Sequence, residues 1–159
     1  PAAYQAKDLP KMEALVDKSH QIFADIDDLL GTHPDFLLGK WIADARALGA
    51  DEAEKAYYER NARTLLTIWG GPILNDYANR LWNGLVKGYY QGRWDIFFNE
   101  ALASVREDRA FNEEGFETNL KAFEEGWNQR TDVYPSQPVG QTRKVARRIR
   151  KDIDAWLAD

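Results

Sequence analysis

Residues 11–31 read KMEALVDKSHQIFADIDDLLG, and the fold class turns on where the apolar side chains fall in that stretch. Leu15, Ile22, Phe23, Ile26, Leu29 and Leu30 recur at steps of three, four and seven, which gathers them on one face of a helix, and Gly31 follows as a stop signal. One long amphipathic helix is predicted.

The same pattern continues outward. Thr32 or His33 can cap a second helix with Pro34 in its first turn, where a missing N–H costs nothing; Phe36, Leu37, Trp41 and Leu48 follow, and then Gly49. Asp51 and Glu54 form a capping-box-like start for a third helix, the Asp accepting from an orphan N–H while the Glu reaches back to the cap's own N–H. That helix is expected to run to about Trp69 and to be ended by Gly70, Gly71 and Pro72. A fourth is expected to open at Asn75 or Asp76, carry Tyr77, Leu81, Leu85 and Tyr89, and halt near Gly88 or Gly92. A fifth from Arg93 carries Trp94, Phe97, Phe98, Leu102 and Val105, and a sixth carries Phe116, Leu120, Phe123 and Trp127. Residues 132–138 form a proline-bearing connection to a last helix with Val145, Ile149, Ile153, Trp156 and Leu157. No fixed repeat period points to a solenoid. The reading is all-α: residues 1–159 as a single helical domain, a compact bundle of about six or seven helices.

Composition bounds the rest. A chain of 159 residues can bury roughly 70% of the surface its unfolded form would expose. Six Trp, seven Tyr and seven Phe beside 30% charged residues describe an aromatic core with a solvated exterior, and disorder is expected only at the two ends. A net charge of −5 argues against a nucleic-acid partner, and residues 64–75, uncharged but broken by glycine and proline, are too short for a membrane span. There is no cysteine, hence no disulfide or thiolate metal site. The start Pro1-Ala2-Ala3-Tyr4 has neither the basic residues nor the apolar run of a signal peptide, and it fits a piece of a longer chain.

Trp69 at the end of one predicted helix and Tyr77 at the start of the next stand at one end of the bundle, beside the Gly70-Gly71-Pro72 turn. Two readings are open for them. Rings at helical spacing usually pack in a core; rings at a helix end can also wall a pocket, offering a flat face to C–H groups and a polar edge to hydroxyls.

A resemblance bears on that choice. Asp35-Phe36-Leu37-Leu38-Gly39-Lys40-Trp41, Asp44-Ala45-Arg46, Asn61-Ala62-Arg63-Thr64, Trp69-Gly70, Asp76-Tyr77-Ala78-Asn79, Gly84-Leu85-Val86, Tyr89-Tyr90 and Arg93-Trp94 match in order and spacing over residues 29–102, and more loosely to 138. Together they resemble the all-α C-terminal domain of the α-N-acetylglucosaminidases, glycoside hydrolase family 89. The resemblance implies a parent enzyme with a small N-terminal domain, a (β/α)-barrel carrying two catalytic glutamates, and this domain packed beside the sugar pocket. It also implies removal of terminal α-linked N-acetylglucosamine with retention, and a secreted, periplasmic or lysosomal parent. A barrel of about 250 residues cannot fit within this chain, so the chain alone is expected to be inactive and no catalytic residue is assigned to it.

By motif, the family's Trp, apolar and Tyr contacts to the sugar fall on Trp69, Leu74 and Tyr77. The turn here is shorter by one residue than the family's, which leaves Ile73 and Leu74 as alternatives for the apolar contact. The expected partners are thus the barrel of the same parent chain and an N-acetylglucosaminide glycan, with no nucleic acid, membrane, cofactor or metal.

Other residues have plainer expectations. Asp51 and Asp76 suit helix starts, and Asp95 and Glu100 a polar helix face. Trp41, Trp94 and Trp127 are expected as core anchors, Arg63 and Arg80 in surface salt bridges, and His20 and His33 without a metal. The basic residues Arg143, Lys144, Arg147, Arg148, Arg150 and Lys151 read as a solvated face, or less simply as a site for an acidic polymer. A different class of function is an independent helical module holding a peptide or helix in a groove between its own helices.

Overall fold

A computed structural model describes residues 1–69, 76 and 78–158. Among them run seven α-helices: α1 (Ala2–Gln5), α2 (Leu9–Leu30), α3 (Leu38–Arg46), α4 (Glu52–Leu66), α5 (Gln91–Arg106), α6 (Glu113–Trp127) and α7 (Thr142–Ala158). A 3-10 turn, Pro34–Phe36, precedes α3, and a π-helical turn, Val86–Tyr90, runs directly into α5. No strand occurs among the described residues, whose one isolated bridge pairs Leu37 with Asn83. Among the described residues no helix is long and apolar enough to cross a membrane.

Local chemistry sets most helix ends where the sequence places them. Asp8 caps α2 by accepting from the Lys11 N–H at 3.2 Å, so the helix starts just ahead of the apolar pattern. Asp51 accepts from the Glu54 N–H at 2.9 Å, but Glu54 returns to the N–H of Ala50 at 2.8 Å, one residue before the cap. Both ends of the described chain are helical, contrary to the expected disorder: Ala3 is buried, and the Tyr4 hydroxyl lies 3.1 Å from that of Ser104 on α5.

Two predicted helices are reshaped by one tertiary contact. Leu37 is extended (φ −115°, ψ 113°) because the Leu38 N–H donates to the Asn83 carbonyl at 3.1 Å and the Asn83 N–H to that of Phe36 at 2.8 Å. The helix predicted from position 34 therefore divides into the 3-10 turn and α3. The helix predicted from position 75 or 76 is absent over residues 78–84; Gly84 takes φ +85°, and helix begins only at Leu85. It then continues through Gly88 and Gly92 to Arg106, so neither glycine is a stop. Both serve close approach: a Cβ on Gly92 would strike the Phe123 ring, and one on Gly88 would lie 3.3 Å from the Tyr134 hydroxyl.

The long helix from Leu85 to the end of α5 is the spine of the bundle. Its first turns put Leu85 and Tyr89 into a cluster with Leu38, Ile42, Leu66 and Trp127. Its last turns put Ala101 and Leu102 into a second cluster with Ala3 and Met12. Burial of each large ring in the first cluster contributes roughly 2–3 kcal/mol. Outside these clusters α7 rests on α2, where Arg148 pairs with Asp25 at 2.5 Å and Asp28 at 2.9 Å. Arg148, though itself exposed, is thus tied to α2, while Arg143, Lys144, Arg147, Arg150 and Lys151 are exposed without such a pair to α2 among the described residues.

Two glycines on neighbouring helices test this packing. Gly92→Ala overpacks the Phe123 contact and is expected to destabilise by about 1–3 kcal/mol. Gly126→Ala, in α6 where a Cβ would meet nothing within 4 Å, is expected to stabilise by about 0.5–1 kcal/mol in the same urea unfolding series.

Candidate functional site

Helix α4 ends at Leu66, short of Trp69, because Thr67 leaves the helical region (φ −126°, ψ −92°). Thr67 is buried, and its hydroxyl lies between two acceptors, the Arg63 carbonyl at 2.9 Å and Asn128 Oδ1 at 3.0 Å. Its own carbonyl accepts from the backbone N–H of Asp76 at 2.8 Å. The two ends of the segment carrying the sequence-predicted contacts therefore meet. Trp69 itself is 43% exposed, while Leu74 and Tyr77, like Ile73, lie outside the described residues.

Asp76 is not the helix cap that the sequence suggests. It adopts φ +62°, a left-handed conformation that Asp tolerates better than most residues, and Asp76 Oδ2 accepts from Arg93 Nη1 at 2.6 Å. Arg93 Nε lies 2.9 Å from Glu124 Oε1, and its guanidinium sits 5.5 Å from the Tyr89 ring centre. Glu124 is buried near the end of α6, and burial raises its carboxyl pKa despite the cation beside it. Burial likewise pushes the Tyr89 phenol up. The Tyr90 hydroxyl closes the same region by donating to the Arg80 carbonyl at 3.2 Å.

Beside this network a cleft of about 420 Å³ opens between α5 and α6, lined by Tyr90, Arg93, Trp94, Phe97, Phe116 and Leu120. Trp94, expected in the core, is 50% exposed; it stacks on Phe98 with ring centres 5.7 Å apart and turns its outer surface to solvent. Trp41 is also partly exposed, held by a 3.0 Å bond from its indole N–H to the Ala62 carbonyl. Trp127 alone of these three is the core anchor that the sequence predicts.

Arg63 departs furthest from expectation. It is fully buried rather than on the surface, bonded to Glu59 at 2.8 Å and to the Asp132 carbonyl at 3.3 Å, with its guanidinium 4.7 Å from the Trp127 ring centre. A planar cation can lie on an aromatic face and still donate at its edge, which an ammonium does less well. Arg80 is exposed and donates to the Ala78 and Asn79 carbonyls at 3.1 and 2.7 Å, with no acid paired to it among the described residues.

The other acids have structural partners: Asp95 lies 2.6 Å from His20 Nε2, and Glu100 accepts from Arg109 and from the Asn112 N–H at 2.7 Å. His33 Nδ1 accepts from the Asp35 N–H at 3.3 Å. Among the described residues no group of three or more His, Cys, Asp or Glu is placed to hold a metal. Sequence reasoning missed Thr67, Arg93, Glu124 and Asn128. Glu124 and Asn128 each follow a large ring, Phe123 and Trp127, and one step past the apolar stripe reads as solvent face; only their spacing of four hinted at a shared role.

Comparison with known proteins defines first the class. Solved structures of a family 89 glycoside hydrolase from Clostridium perfringens superpose on 92% of this chain at 30% identity, with a TM-score of 0.76 for the complex with GlcNAc-α-1,4-galactose and 0.75 for that with PUGNAc. The chain is thus an all-α domain of the kind found in glycoside hydrolases. Human α-N-acetylglucosaminidase is 37% identical over 161 residues, which takes in 99% of this chain. The model of the α-N-acetylglucosaminidase C-terminal domain matches residues 1–152, and the chain belongs to that family. It spans about a fifth of these relatives: 22% of the human protein and 18% of the Clostridium chain.

The raised carboxyl of Glu124 gives a signed prediction. A group whose pKa is higher folded than unfolded contributes stability that is full below its ordinary value of 4.5 and is lost as pH rises through the folded value. The stability of the native chain relative to Glu124→Gln is therefore expected to fall as pH rises above about 4.5, measured by urea unfolding across the acid range.

Proposed function

We propose that this chain is the accessory helical domain of a glycosidase that removes terminal α-linked N-acetylglucosamine. In this reading it packs on the (β/α)-barrel of the same parent chain, the barrel holds both catalytic glutamates, and Trp69, Leu74 and Tyr77 line the sugar pocket. The carrying observation is the exposure of Trp69 just beyond the end of α4, in a segment tied through Thr67 and Asp76 to Arg93, which lines an open aromatic cleft. Large contiguous apolar surface is unfavourable in water, and a domain cut from its neighbour uncovers what their interface hid.

Chemistry supports the same assignment. An N-acetylglucosamine ring presents C–H groups on its faces and hydroxyls at its rim, so a Trp face and a Tyr hydroxyl hold it by apolar contact and by hydrogen bonding. Retaining hydrolysis needs two carboxylates flanking one bond, and a wall on the far side of the sugar keeps its anomeric carbon between them. The domain then contributes orientation and exclusion of water, and no proton transfer.

The alternative, an independent module that holds a peptide or helix, draws on a second groove of about 430 Å³ between α1, α2 and α5, lined on both sides by the chain's own Met12, Leu15, Phe98 and Phe111. Phe97 belongs to both this groove and the cleft.

The test is hydrolysis of a chromogenic α-N-acetylglucosaminide by the full-length parent enzyme. Trp69→Ala and Tyr77→Ala are each expected to lower kcat/KM by about 10- to 100-fold at unchanged unfolding temperature, in line with roughly 1–3 kcal/mol per lost ring contact. Full activity in both would return these rings to a structural role.

A further inference from the structure

Helix α6 ends beside both ends of the segment that carries Trp69, Leu74 and Tyr77. On one side Asn128 Oδ1 accepts from the Thr67 hydroxyl at 3.0 Å, while Asn128 Nδ2 donates to the Glu124 carbonyl at 2.7 Å. On the other side Glu124 holds Arg93 at 2.9 Å, and Arg93 holds Asp76 at 2.6 Å. Glu124 and Asn128 are one helical turn apart, so a single turn of α6 fixes both ends through buried or half-buried polar groups.

We propose that Arg93 and Thr67, anchored on Glu124 and Asn128, are positioning residues that set where the aromatic wall of the sugar pocket stands. The proposal rests on the pocket reading given above and adds to it the device that holds the wall in place. Trp69 follows Thr67 by two residues and Tyr77 follows Asp76 by one. With consecutive Cα atoms about 3.8 Å apart, pinning Thr67 confines Trp69 to the neighbourhood of the anchors, and pinning Asp76 fixes the point from which the chain runs on to Tyr77.

Polar anchors suit this task better than apolar ones. A methyl group can slide on a neighbour with little change in energy, whereas a hydrogen bond or a charged pair weakens steeply once its angle or distance departs from the optimum. The Thr67 carbonyl accepting from the Asp76 N–H at 2.8 Å ties the two anchored ends to each other. The five side chains therefore act as one clamp.

Full-length parent enzyme carries the test, with Arg93→Met, Thr67→Val, Asp76→Asn and, as a control, Arg148→Met. The control removes the ion pairs to Asp25 and Asp28, outside the clamp. The readouts are unfolding temperature, KM and kcat on a chromogenic α-N-acetylglucosaminide, and Ki for the iminosugar 2-acetamido-1,2-dideoxynojirimycin, a compound found in complex with the Clostridium enzyme.

Displacing the wall by a fraction of an ångström is expected to raise KM and Ki on the order of tenfold in Arg93→Met and Thr67→Val, with Arg93→Lys intermediate and Arg148→Met at the wild-type Ki. Thr67→Val is nearly isosteric and Asp76→Asn keeps an acceptor, so these two carry the test if Arg93→Met does not fold. Wild-type Ki in folded clamp variants, while Trp69→Ala and Tyr77→Ala still raise it, would overturn the clamp and leave the pocket reading intact. Wild-type Ki in all of them would overturn both. An equal rise in Arg148→Met would reduce the effect to general destabilisation and overturn the clamp.

Discussion

The helix that starts at Leu85 has no capping side chain of its own, and α2 supplies one. Asp27 accepts from the backbone N–H of Gly84 at 2.7 Å and of Lys87 at 3.1 Å, and from the Asn83 side chain at 2.8 Å. The N–H groups at a helix start need an acceptor, and a carboxylate also suits the positive end of the helix dipole. Burial raises the Asp27 pKa although these donors favour its charged form. Removal of the carboxylate would leave buried donors unpaired, which is worse than never having built the site. Through Asn83 the same contact reaches Leu37, so one acidic group joins α2, the turn before α3 and the spine of the bundle.

Much of what surrounds the candidate site hangs on that spine. The helix from Leu85 delivers Tyr89 to the core, Arg93 to the clamp, and Trp94 and Phe97 to the exposed face. Had it begun at Asp76, as the apolar spacing of Tyr77, Leu81 and Leu85 suggests, its register would differ and Asp76 would be a cap. Asp27 and the Leu37–Asn83 bridge decide otherwise, and they come from residues far away in sequence.

This explains what could be read in advance. Helices α2, α4, α6 and α7 announce themselves through periodicity and caps, which are local. Gly88 and Gly92 mislead because glycine has two uses: it ends helices, and it also lets a ring approach the backbone, and only the positions of Tyr134 and Phe123 show which applies. Arg63 misleads for a related reason, since a cation bracketed by Trp127, Tyr134 and Glu59 looks in sequence like any other helix arginine. Trp94 and Trp127 have the same helical spacing and opposite burial, for spacing marks a face and does not say what covers it. The family motifs marked Trp69, whose exposure periodicity had no means to predict.

A buried ion pair is weak evidence for stability, because removing two charges from water costs about as much as their attraction returns. The Asp76–Arg93–Glu124 chain is accordingly better understood as specifying geometry than as strengthening the fold. An apolar replacement of similar volume could hold α5 against α6 equally well, yet it would not hold Asp76 in its left-handed conformation next to Tyr77. That distinction separates the two parts of this domain. The core clusters are apolar and could be repacked in many ways, whereas the end of the bundle near Trp69 is held by directional bonds among Thr67, Asn128, Glu124, Arg93 and Asp76.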